Sequence, residues 1–365
     1  MRLTLLIPEL IWPEPGDTAT LGELPCPALS TLLARGTFAR SAELDATFDA
    51  AVAGCFELDR AAPYAALRLL GEVAGEVTPG EHHWACADPV HLRFHHERLI
   101  LADGATIGID EAEAGQLTEA LNTYFADIGV FHAAAPDRWY LRLAEAADFL
   151  TPPLSAMAGR RVEQQLPEEA RTAWLRKLLN EAQMLLHSHA ANEARADAGR
   201  LTINSLWLWG PGQLPQGLKG DFDSVWASHP LARGLARCAG IACHHTPGSF
   251  DDLLGQTTAD SRPLVVIDSL LAAVQYEDAE AWRKGMLHLE AAWFAPLAAA
   301  VRAGRVTLDL RASSIYGELS WKIGRGDMWR LWKRPQPLQV LAKSLAGSFA
   351  DSLANSPATS QAGQA

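Results

Sequence analysis

Histidine, cysteine and acidic side chains, the groups that bind metals and transfer protons, concentrate at a few places in this sequence. The densest group has five histidines and one aspartate within fifteen positions: His82, His83, Asp88, His91, His95 and His96. Successive side chains of a strand point to opposite faces of its sheet, so neighbouring histidines in a hairpin do not readily share one ion. We interpret these residues as surface or hydrogen-bonded polar groups, with a metal site as the alternative.

Two smaller groups have the residue types of a metal site without its spacing. His187-x-His189 follows a helical pattern, where a partly protonated imidazole favours the helix dipole. Cys238 precedes Cys243-His244-His245, but no second ligand pair follows at zinc-finger spacing. We therefore expect neither group to bind a metal.

Motifs for nucleophilic or phosphate chemistry are absent, since there is no Gly-x-Ser-x-Gly elbow and no Walker loop. The best ligand-site candidate is Asn204 through Trp209, a buried-strand pattern that leads into Gly210-Pro211-Gly212. Ligands of open α/β sheets bind beyond the carboxyl ends of strands, and glycine lets the backbone approach them. An ordinary turn after a strand with two core tryptophans explains the segment equally well.

Composition limits the class of protein. The chain has 365 residues, 48% of them hydrophobic, and 43 acidic against 31 basic side chains give a net charge of −12. That suits about two packed domains and argues against nucleic-acid binding, which needs clustered cations. Five scattered cysteines favour a reducing compartment, the apolar run at the N-terminus is too short for a signal peptide, and no stretch is long enough to span a membrane. We expect a cytoplasmic protein.

Short apolar runs alternate with helical patterns along the chain. Strands are predicted at residues 3–7, 201–209, 264–267 and 306–310, and helices at 29–34, 167–186 and 277–303, the last kinked by Pro296. Asp110-x-x-Glu113 resembles a capping box that opens a further helix. This alternation predicts an α/β fold with a mostly parallel central sheet.

The middle of the chain is different in pattern. Apolar residues 91–94 and 99–101 flank a predicted hairpin turn, and polar helical patterns follow. We predict a discontinuous α/β core formed by residues 1–74 and 201–340, and an inserted α+β domain at residues 75–200. Residues 341–365 are small and polar, which predicts a disordered tail.

Several segments resemble archaeal-type cofactor-independent phosphoglycerate mutases, in the same order and at similar spacing. They are Leu178-Leu179-Asn180, His187 through Arg195, Gly199-Arg200, Asn204 through Gly212, Tyr64 through Gly71, Val77 through Glu81, and Trp84 through Asp88. The segment from Leu24 to Gly36 is similar to the first helix of the alkaline phosphatase superfamily. Overall the chain most resembles the RpfE-type bacterial regulatory protein family. The resemblance implies an alkaline phosphatase-like core with an insertion.

The resemblance also implies chemistry that can be checked by position. Those mutases hold two divalent metals, commonly manganese, with Asp and His ligands, and a serine carries the phosphoryl group. Here Pro8-Glu9 replaces the first-strand Asp-Gly, and Ala53-Gly54-Cys55-Phe56 contains no serine, so that Cys55 is the nearest substitute. Leu271 through Gln275 replaces an Asp-Glu-Ala-Gly-His block, and Asp309-Leu310 replaces a late Asp-His pair.

Our leading hypothesis is therefore a degenerate mutase-like protein that binds a small molecule or a protein partner and needs no cofactor. Its binding cleft is predicted between core and insertion. The predicted lining comprises Glu9, Trp12, Cys55, Asp88, Asn204, Trp209, Gly210, Gly212, Asp268 and Asp309. The alternative is an active phosphomutase or phosphohydrolase whose manganese, or other divalent metal, is held by Glu9, Asp268, Asp309 and His244 or His245.

A third hypothesis is an interaction protein that docks through tryptophan. The chain has twelve tryptophans, most of them on apolar strand or helix patterns that predict core positions. Trp329-x-x-Trp332, with Arg330, Lys333 and Arg334, is the candidate for an exposed aromatic patch. This segment fits an acidic partner, but we favour packing against its own core.

Overall fold

A computed structural model of the protein describes residues 1–41, 46–59, 61–72, 77–95, 98–159 and 173–354. The chain divides into two compact units. Unit 1 contains Met1–Ala51, Phe222–Trp226 and His244–Ala365, and unit 2 contains Val52–Asp221 and Ala227–Cys243. Both chain segments of unit 2 are therefore bounded by unit 1 sequence.

The secondary structure alternates between short strands and helices. The strands are β1 (Arg2–Leu6), β2 (Thr37–Arg40), β3 (Trp84–His95), β4 (Arg98–Ala102), β5 (Gly129–Ala135), β6 (Arg138–Leu143), β7 (Ser205–Gly212), β8 (Ser224–Trp226), β9 (Ala242–His244), β10 (Pro263–Val266), β11 (Thr307–Ser314) and β12 (Gly317–Ile323). The helices are α1 (Thr18–Leu21), α2 (Pro27–Arg35), α3 (Phe48–Gly54), α4 (Tyr64–Gly71), α5 (Gly104–Ile107), α6 (Glu111–Tyr124), α7 (Leu154–Met157), α8 (Ala173–His187), α9 (Ala190–Asp197), α10 (Pro230–Cys238), α11 (Phe250–Leu254), α12 (Leu271–Gln275), α13 (Ala279–Leu289), α14 (Ala295–Arg302) and α15 (Leu338–Ala354).

The main sheet has seven strands in the order β2-β12-β11-β1-β10-β8-β9. Strand β1 pairs in parallel with β10 and with β11, and β10 pairs in parallel with β8. Strands β12 and β2 add antiparallel pairs at one side. Apolar runs such as Leu3–Leu6 are typical of parallel strands covered on both faces. The predicted α/β fold with a mostly parallel central sheet is confirmed.

The long helical pattern predicted at residues 277–303 is interrupted once. Helix α13 passes into a π-helical turn at Glu290–Phe294, and α14 begins directly after it with Pro296 in its first turn. Proline cannot donate to a carbonyl four residues earlier, and a wider turn accommodates its ring. Within the same turn, the Glu290 carboxylate accepts hydrogen bonds from the backbone N–H groups of Ala28 (2.7 Å) and Leu29 (3.1 Å), at the start of α2.

Unit 2 contains a five-stranded sheet in which β3 is central. Strand β3 pairs antiparallel with β4, β6 and β7, and β6 pairs antiparallel with β5. The hairpin predicted around residues 91–101 is confirmed as the β3–β4 pair. Cys86 pairs with Trp209 across β3 and β7, which places the tryptophan strand in unit 2. The predicted place of this strand is the discontinuous α/β core, and its pairing with β3 corrects that prediction.

Helix α4 packs against α10 in unit 2 at a distance that only glycine permits. A Cβ atom on Gly71 would lie 1.7 Å from the Pro230 carbonyl oxygen, and one on Gly234 would lie 1.7 Å from that of Leu67. The capping box predicted at Asp110 is present, since Glu113 N donates to Asp110 Oδ1 at 2.8 Å and Asp110 N donates to Glu113 Oε2 at 3.1 Å.

The observed boundaries differ from those expected. Unit 2 begins at Val52, not at residue 75, and it includes β7, because that strand completes the β3 sheet. The expected tail is helical as far as Ala354, because Leu338, Ala342 and Leu345 recur at helical spacing and are buried. Residues 355–365 lie outside the described residues. Among the described residues, no helix is long and apolar enough to cross a membrane.

Candidate functional site

The carboxyl edge of the parallel sheet in unit 1 holds two of the predicted site carboxylates. Glu9 follows β1 and Asp268 follows β10, and these two strands are neighbours, with Ile267 N donating to Leu6 O at 3.0 Å. Carboxyl ends of parallel strands meet at one edge of a sheet, which is where open α/β folds bind ligands. Unit 1 therefore places Glu9 and Asp268 after neighbouring parallel strands, and their part in a ligand site stays a prediction.

Glu9 is held in an unusual backbone conformation. Its φ of 55° is in the left-handed region, which a non-glycine residue rarely adopts. Glu9 N donates to Ser313 O at 2.8 Å, and the Trp282 indole donates to Glu9 O at 2.9 Å. Neighbouring segments thus impose the conformation, and such imposed strain occurs frequently at functional sites.

Tyr316 lies beside the Glu9 segment. Burial, together with the negative charges of Glu9 and Glu14, raises the pKa of Tyr316 to about 12. Its hydroxyl donates to the Pro13 carbonyl at 2.6 Å. This phenol therefore remains a hydrogen-bond donor at neutral pH and does not serve as a base.

Asp268 lies where burial acts against its charge. Loss of solvent around the side chain raises the pKa of Asp268, and a hydrogen bond from its own backbone only partly offsets this. Among the described residues Asp268 forms no ion pair. A carboxyl group with a raised pKa at the edge of a sheet is a candidate for ligand recognition.

Trp12 and Asp309 are positioned differently from the expectation. Trp12 is buried, with its ring 5.5 Å from that of Trp282, so it is part of the core. Asp309 pairs with Thr4 within β11, which continues to Ser314, so it lies inside the strand and not at its end. Its carboxylate accepts from Arg311 at 3.0 Å, an ion pair within the strand.

The two histidines of the alternative metal site also have other surroundings. His244 and His245 are exposed, and the His244 ring stacks on Trp226 at 4.2 Å. Within the described part of the chain, no group of three or more His, Cys, Asp and Glu side chains is arranged to hold a metal ion. The donor set that the resemblance implies, several Asp and His side chains around one point, is thus not formed by the described residues.

The predicted residues of unit 2 lie in a buried ionic cluster. Asp88 is inaccessible to solvent, and its two carboxylate oxygens accept from the Arg68 guanidinium at 2.9 and 2.6 Å. The Trp209 indole donates to the same carboxylate at 2.8 Å. Burial alone lowers the pKa of Arg68, but the adjacent Asp88 reverses this and raises it well above its ordinary value. Asp88 and Trp209 are thus brought together, as the partners of a buried arginine.

A second pair, formed by the buried Glu72 and the partly exposed Arg138, extends this cluster. Arg138 donates twice to Glu72, at 2.9 and 3.1 Å, and the Tyr140 hydroxyl donates to Glu72 at 2.6 Å. The Arg68 guanidinium lies 4.7 Å from the centre of the Tyr140 ring. Sequence reasoning missed these residues, although an arginine on the apolar face of α4 was a signal that a buried partner was needed.

The glycines after β7 serve packing inside unit 2. Gly210 has φ 58°, and a Cβ there would lie 2.6 Å from Tyr64 Cβ. Gly212 has φ 145°, and a Cβ there would lie 2.7 Å from Pro63 Cβ. The space in front of both glycines is filled by the chain itself, which favours the ordinary-turn interpretation over ligand approach.

Asn204 and Cys55 complete the predicted set. The Asn204 amide exchanges hydrogen bonds with the backbone of Leu92, at 2.7 and 2.8 Å, and so continues the strand pairing. Cys55 is buried directly after α3. A cavity of about 470 Å³ in unit 2 has other lining residues: Leu70, Gly80, Glu81, Gln213, Leu214, Pro215, Gln216 and Cys238. The predicted cleft thus has residues in both units and stays a prediction.

Comparison with known proteins gives one consistent similarity. The chain is 27% identical over 159 residues to a probable 2,3-bisphosphoglycerate-independent phosphoglycerate mutase of Geobacter sulfurreducens, a match that covers 39% of this chain and 38% of that protein. It is 29% identical over 153 residues to mutase 2 of Methanothermobacter thermautotrophicus (39% and 37%), and 27% identical over 203 residues to the mutase of Methanosarcina acetivorans (52% and 48%). These matches span less than half the length of those relatives.

Solved structures resemble the chain over more of its length. The PH0037 protein from Pyrococcus horikoshii has a TM-score of 0.51 at 13% identity and covers 97% of both chains. The cofactor-independent phosphoglycerate mutase from Thermoplasma acidophilum has a TM-score of 0.46 at 17% identity, with 89% of this chain and 90% of that chain covered. No protein-family model matches. The sequence similarities support a phosphoglycerate mutase-like scaffold.

Proposed function

We propose that this protein is a degenerate relative of the phosphoglycerate mutases that binds a ligand or partner and does not transfer phosphoryl groups. The observation that supports this most directly is the composition of the sheet edge in unit 1. Where a mutase-like enzyme needs converging Asp and His ligands, the edge has Glu9 and Asp268, and the described residues contain no group of three metal-binding side chains.

Metal ions would supply two functions in such a site: they activate the nucleophile, and they neutralise the transferring phosphoryl group. When it is ionised, Asp268 adds negative charge to this edge with no ion pair among the described residues, and that charge repels a phosphate ester unless a cation offsets it. The ligand that suits Asp268 is therefore neutral or positively charged. A regulatory role, as the resemblance to the RpfE-type family implies, is part of this proposal, as is a cytoplasmic location.

The catalytic part of the proposal is tested with manganese and phosphoglycerate. The purified chain is dialysed against manganese, its metal content is measured by mass spectrometry, and 3-phosphoglycerate is supplied in an enolase-coupled assay. The Thermoplasma acidophilum mutase serves as the positive control. We expect substoichiometric manganese and no turnover above the protein-free rate.

The opposite result would establish the alternative enzyme. The hypothesis of a degenerate protein would be overturned if the chain bound manganese stoichiometrically and turned over 3-phosphoglycerate, and if the variants Glu9→Gln and Asp268→Asn lost both properties. The ligand preference is tested separately by calorimetry with putrescine and arginine as cationic probes and 3-phosphoglycerate as the anionic one. Binding of 3-phosphoglycerate alone would contradict the charge argument.

A further inference from the structure

The largest exposed apolar side chains of unit 1 lie close together in one short segment. Trp329 is 59% exposed, Leu331 65% and Trp332 77%. They belong to residues 327–334, called here the tryptophan segment, which opens with a 3-10 turn at Asp327–Trp329. The expected packing of this segment against its own core is therefore wrong for its tryptophans. Only Met328 of the segment is buried.

The segment is held in place by its surroundings. Arg35 Nη1 donates to the Met328 carbonyl at 2.7 Å, and Lys333 Nζ donates to the Gly36 carbonyl at 3.4 Å. The Asp327 carboxylate accepts from Gly324 N at 2.8 Å and pairs with Arg330 at 2.9 Å. A surface that is ordered before binding loses little conformational entropy when a partner docks. Exposed indoles on such a support are suited to act as anchors.

The charge around the segment is opposite to that of the whole chain. Residues 322–334 have five basic side chains and one acidic side chain, Asp327. Of the basic ones, Lys322, Arg325 and Arg334 are exposed, and within the described residues Arg334 forms no ion pair. The whole chain carries −12. A local group of cations with aromatic anchors therefore complements an acidic partner, and Trp and Arg are the residues most enriched at binding hot spots.

The overall charge also decides which kind of acidic partner fits. A nucleic acid or an anionic bilayer extends far beyond the segment and would meet the negative charge of the remaining surface. A short peptide experiences only the local potential, because screening limits electrostatic range to about 8 Å at physiological salt. We propose that the tryptophan segment docks an acidic peptide segment of a protein partner, whose apolar side chains pack on Trp329 and Trp332. This goes beyond the proposed function and concerns a different surface.

A displayed library of random dodecapeptides, selected on the immobilised full-length chain, tests this. We expect the enriched peptides to be rich in Asp and Glu with interspersed Leu or aromatic residues. For a synthetic enriched peptide, Trp332→Ala should weaken binding about thirtyfold, the effect of losing a hot spot. Arg334→Glu should weaken it about tenfold, with a loss of salt dependence.

Matched controls distinguish binding at the tryptophan segment from nonspecific apolar or ionic adhesion. Leu150→Ala removes an apolar side chain that is 75% exposed in unit 2, and Lys219→Glu reverses an exposed charge of unit 2. Both should bind the peptide as the parent chain does, and Trp332→Ala should retain its circular dichroism spectrum, because Trp332 packs on little.

Four outcomes would overturn the inference. The first two are that no peptide is enriched, or that the enriched peptides are not acidic. The third is that Trp332→Ala binds the peptide as tightly as the parent chain. The fourth is that Trp332-dependent binding is found only with phosphatidylglycerol vesicles, with single-stranded RNA or with a second copy of the chain, which sedimentation would detect. None of these results bears on manganese content or mutase turnover, so this inference and the proposed function fail independently.

Discussion

The buried ionic cluster of unit 2 and the sheet edge of unit 1 both hold charged groups, but in opposite states. In unit 2, Asp88 and Glu72 each have an arginine partner and a further aromatic donor. At the sheet edge, burial raises the pKa of Asp268 with no ion pair among the described residues, and Glu9 adopts a left-handed backbone conformation. A fully paired charge indicates a role in folding, whereas a largely buried carboxyl group such as Asp268, with no ion pair among the described residues, indicates a role in binding.

The first and largest test removes one partner of the buried pair. Asp88→Ala leaves the Arg68 guanidinium buried without its carboxylate, which typically costs about 3–5 kcal/mol. Urea unfolding followed by circular dichroism should show this loss. The double variant Arg68→Met with Asp88→Leu should recover most of it, because replacing both partners removes the uncompensated charge.

The matched control is the partly exposed pair of unit 1. Asp309→Ala breaks the ion pair with Arg311, and the loss should be about 1 kcal/mol or less because solvent screens the two charges. Equal losses from Asp88→Ala and Asp309→Ala would show that the unit 2 cluster is not the structural centre inferred here.

The second test concerns the helix contact that positions the cluster. Helix α4 carries Arg68 and ends next to Glu72, and it approaches α10 through Gly71 and Gly234. Gly71→Ala would place a Cβ atom 1.7 Å from the Pro230 carbonyl oxygen, so the helices must separate, at a cost of about 1–3 kcal/mol or more.

Gly115→Ala is the control for the intrinsic effect of the substitution. Gly115 lies within α6, and nothing lies within 4 Å of an added Cβ. Alanine is the better helix former by about 0.5–1 kcal/mol, so this variant should be more stable than the parent. A Gly71→Ala variant with parental urea midpoint would contradict the close packing of α4 and α10.

The third test uses the histidine beside the cluster. Burial, with the positive charges of Arg68 and Arg138, lowers the pKa of His229 from 6.5 to about 3. The unfolded chain is then protonated at this site before the folded one, so stability is lost as the pH falls from 6.5 towards 3. Between pH 6 and pH 5 the expected loss is about 1 kcal/mol.

Other acidic groups titrate in part of the same range, so the measurement is a difference. The unfolding free energy of the parent chain is compared with that of His229→Phe at each pH. The unfolding free energy of the parent relative to that of the variant should decrease as the pH falls, since only the parent carries the titrating imidazole. Parallel curves would mean that His229 accepts a proton in the folded state at its ordinary pKa.

The elements that form from local pattern were predictable from sequence. Apolar runs identify β1 and β10 to within one residue, and Asp110 with Glu113 forms the expected cap of α6. Such signals lie within a few residues of each other. They require no knowledge of which distant segments meet.

The functions of individual polar residues depended on distant partners. From sequence alone Asp88 resembles a ligand-site residue. The structure shows that its partners are Arg68, twenty positions earlier, and Trp209, from another strand. Asp309 was expected at a strand end, and only the register with β1 shows that β11 continues past it. Pairing across a sheet is set by tertiary contacts that one sequence does not display.

The smallest and last test is at the sheet edge, where the comparison predicts the opposite sign. Because burial raises the pKa of Asp268, the folded chain holds its proton to higher pH than the unfolded chain does, and ionisation reduces stability as the pH rises through this range. Asp268→Asn removes that cost, so the variant should be more stable than the parent at pH 7 and nearly equal at pH 3.5. Urea unfolding at the two pH values measures this. If the carboxyl group of Asp268 weakens the fold at neutral pH, its presence is explained by binding and not by stability. If Asp268→Asn destabilises the chain at pH 7 as Asp88→Ala does, Asp268 is a structural residue. The sheet edge would then no longer be supported as the ligand site.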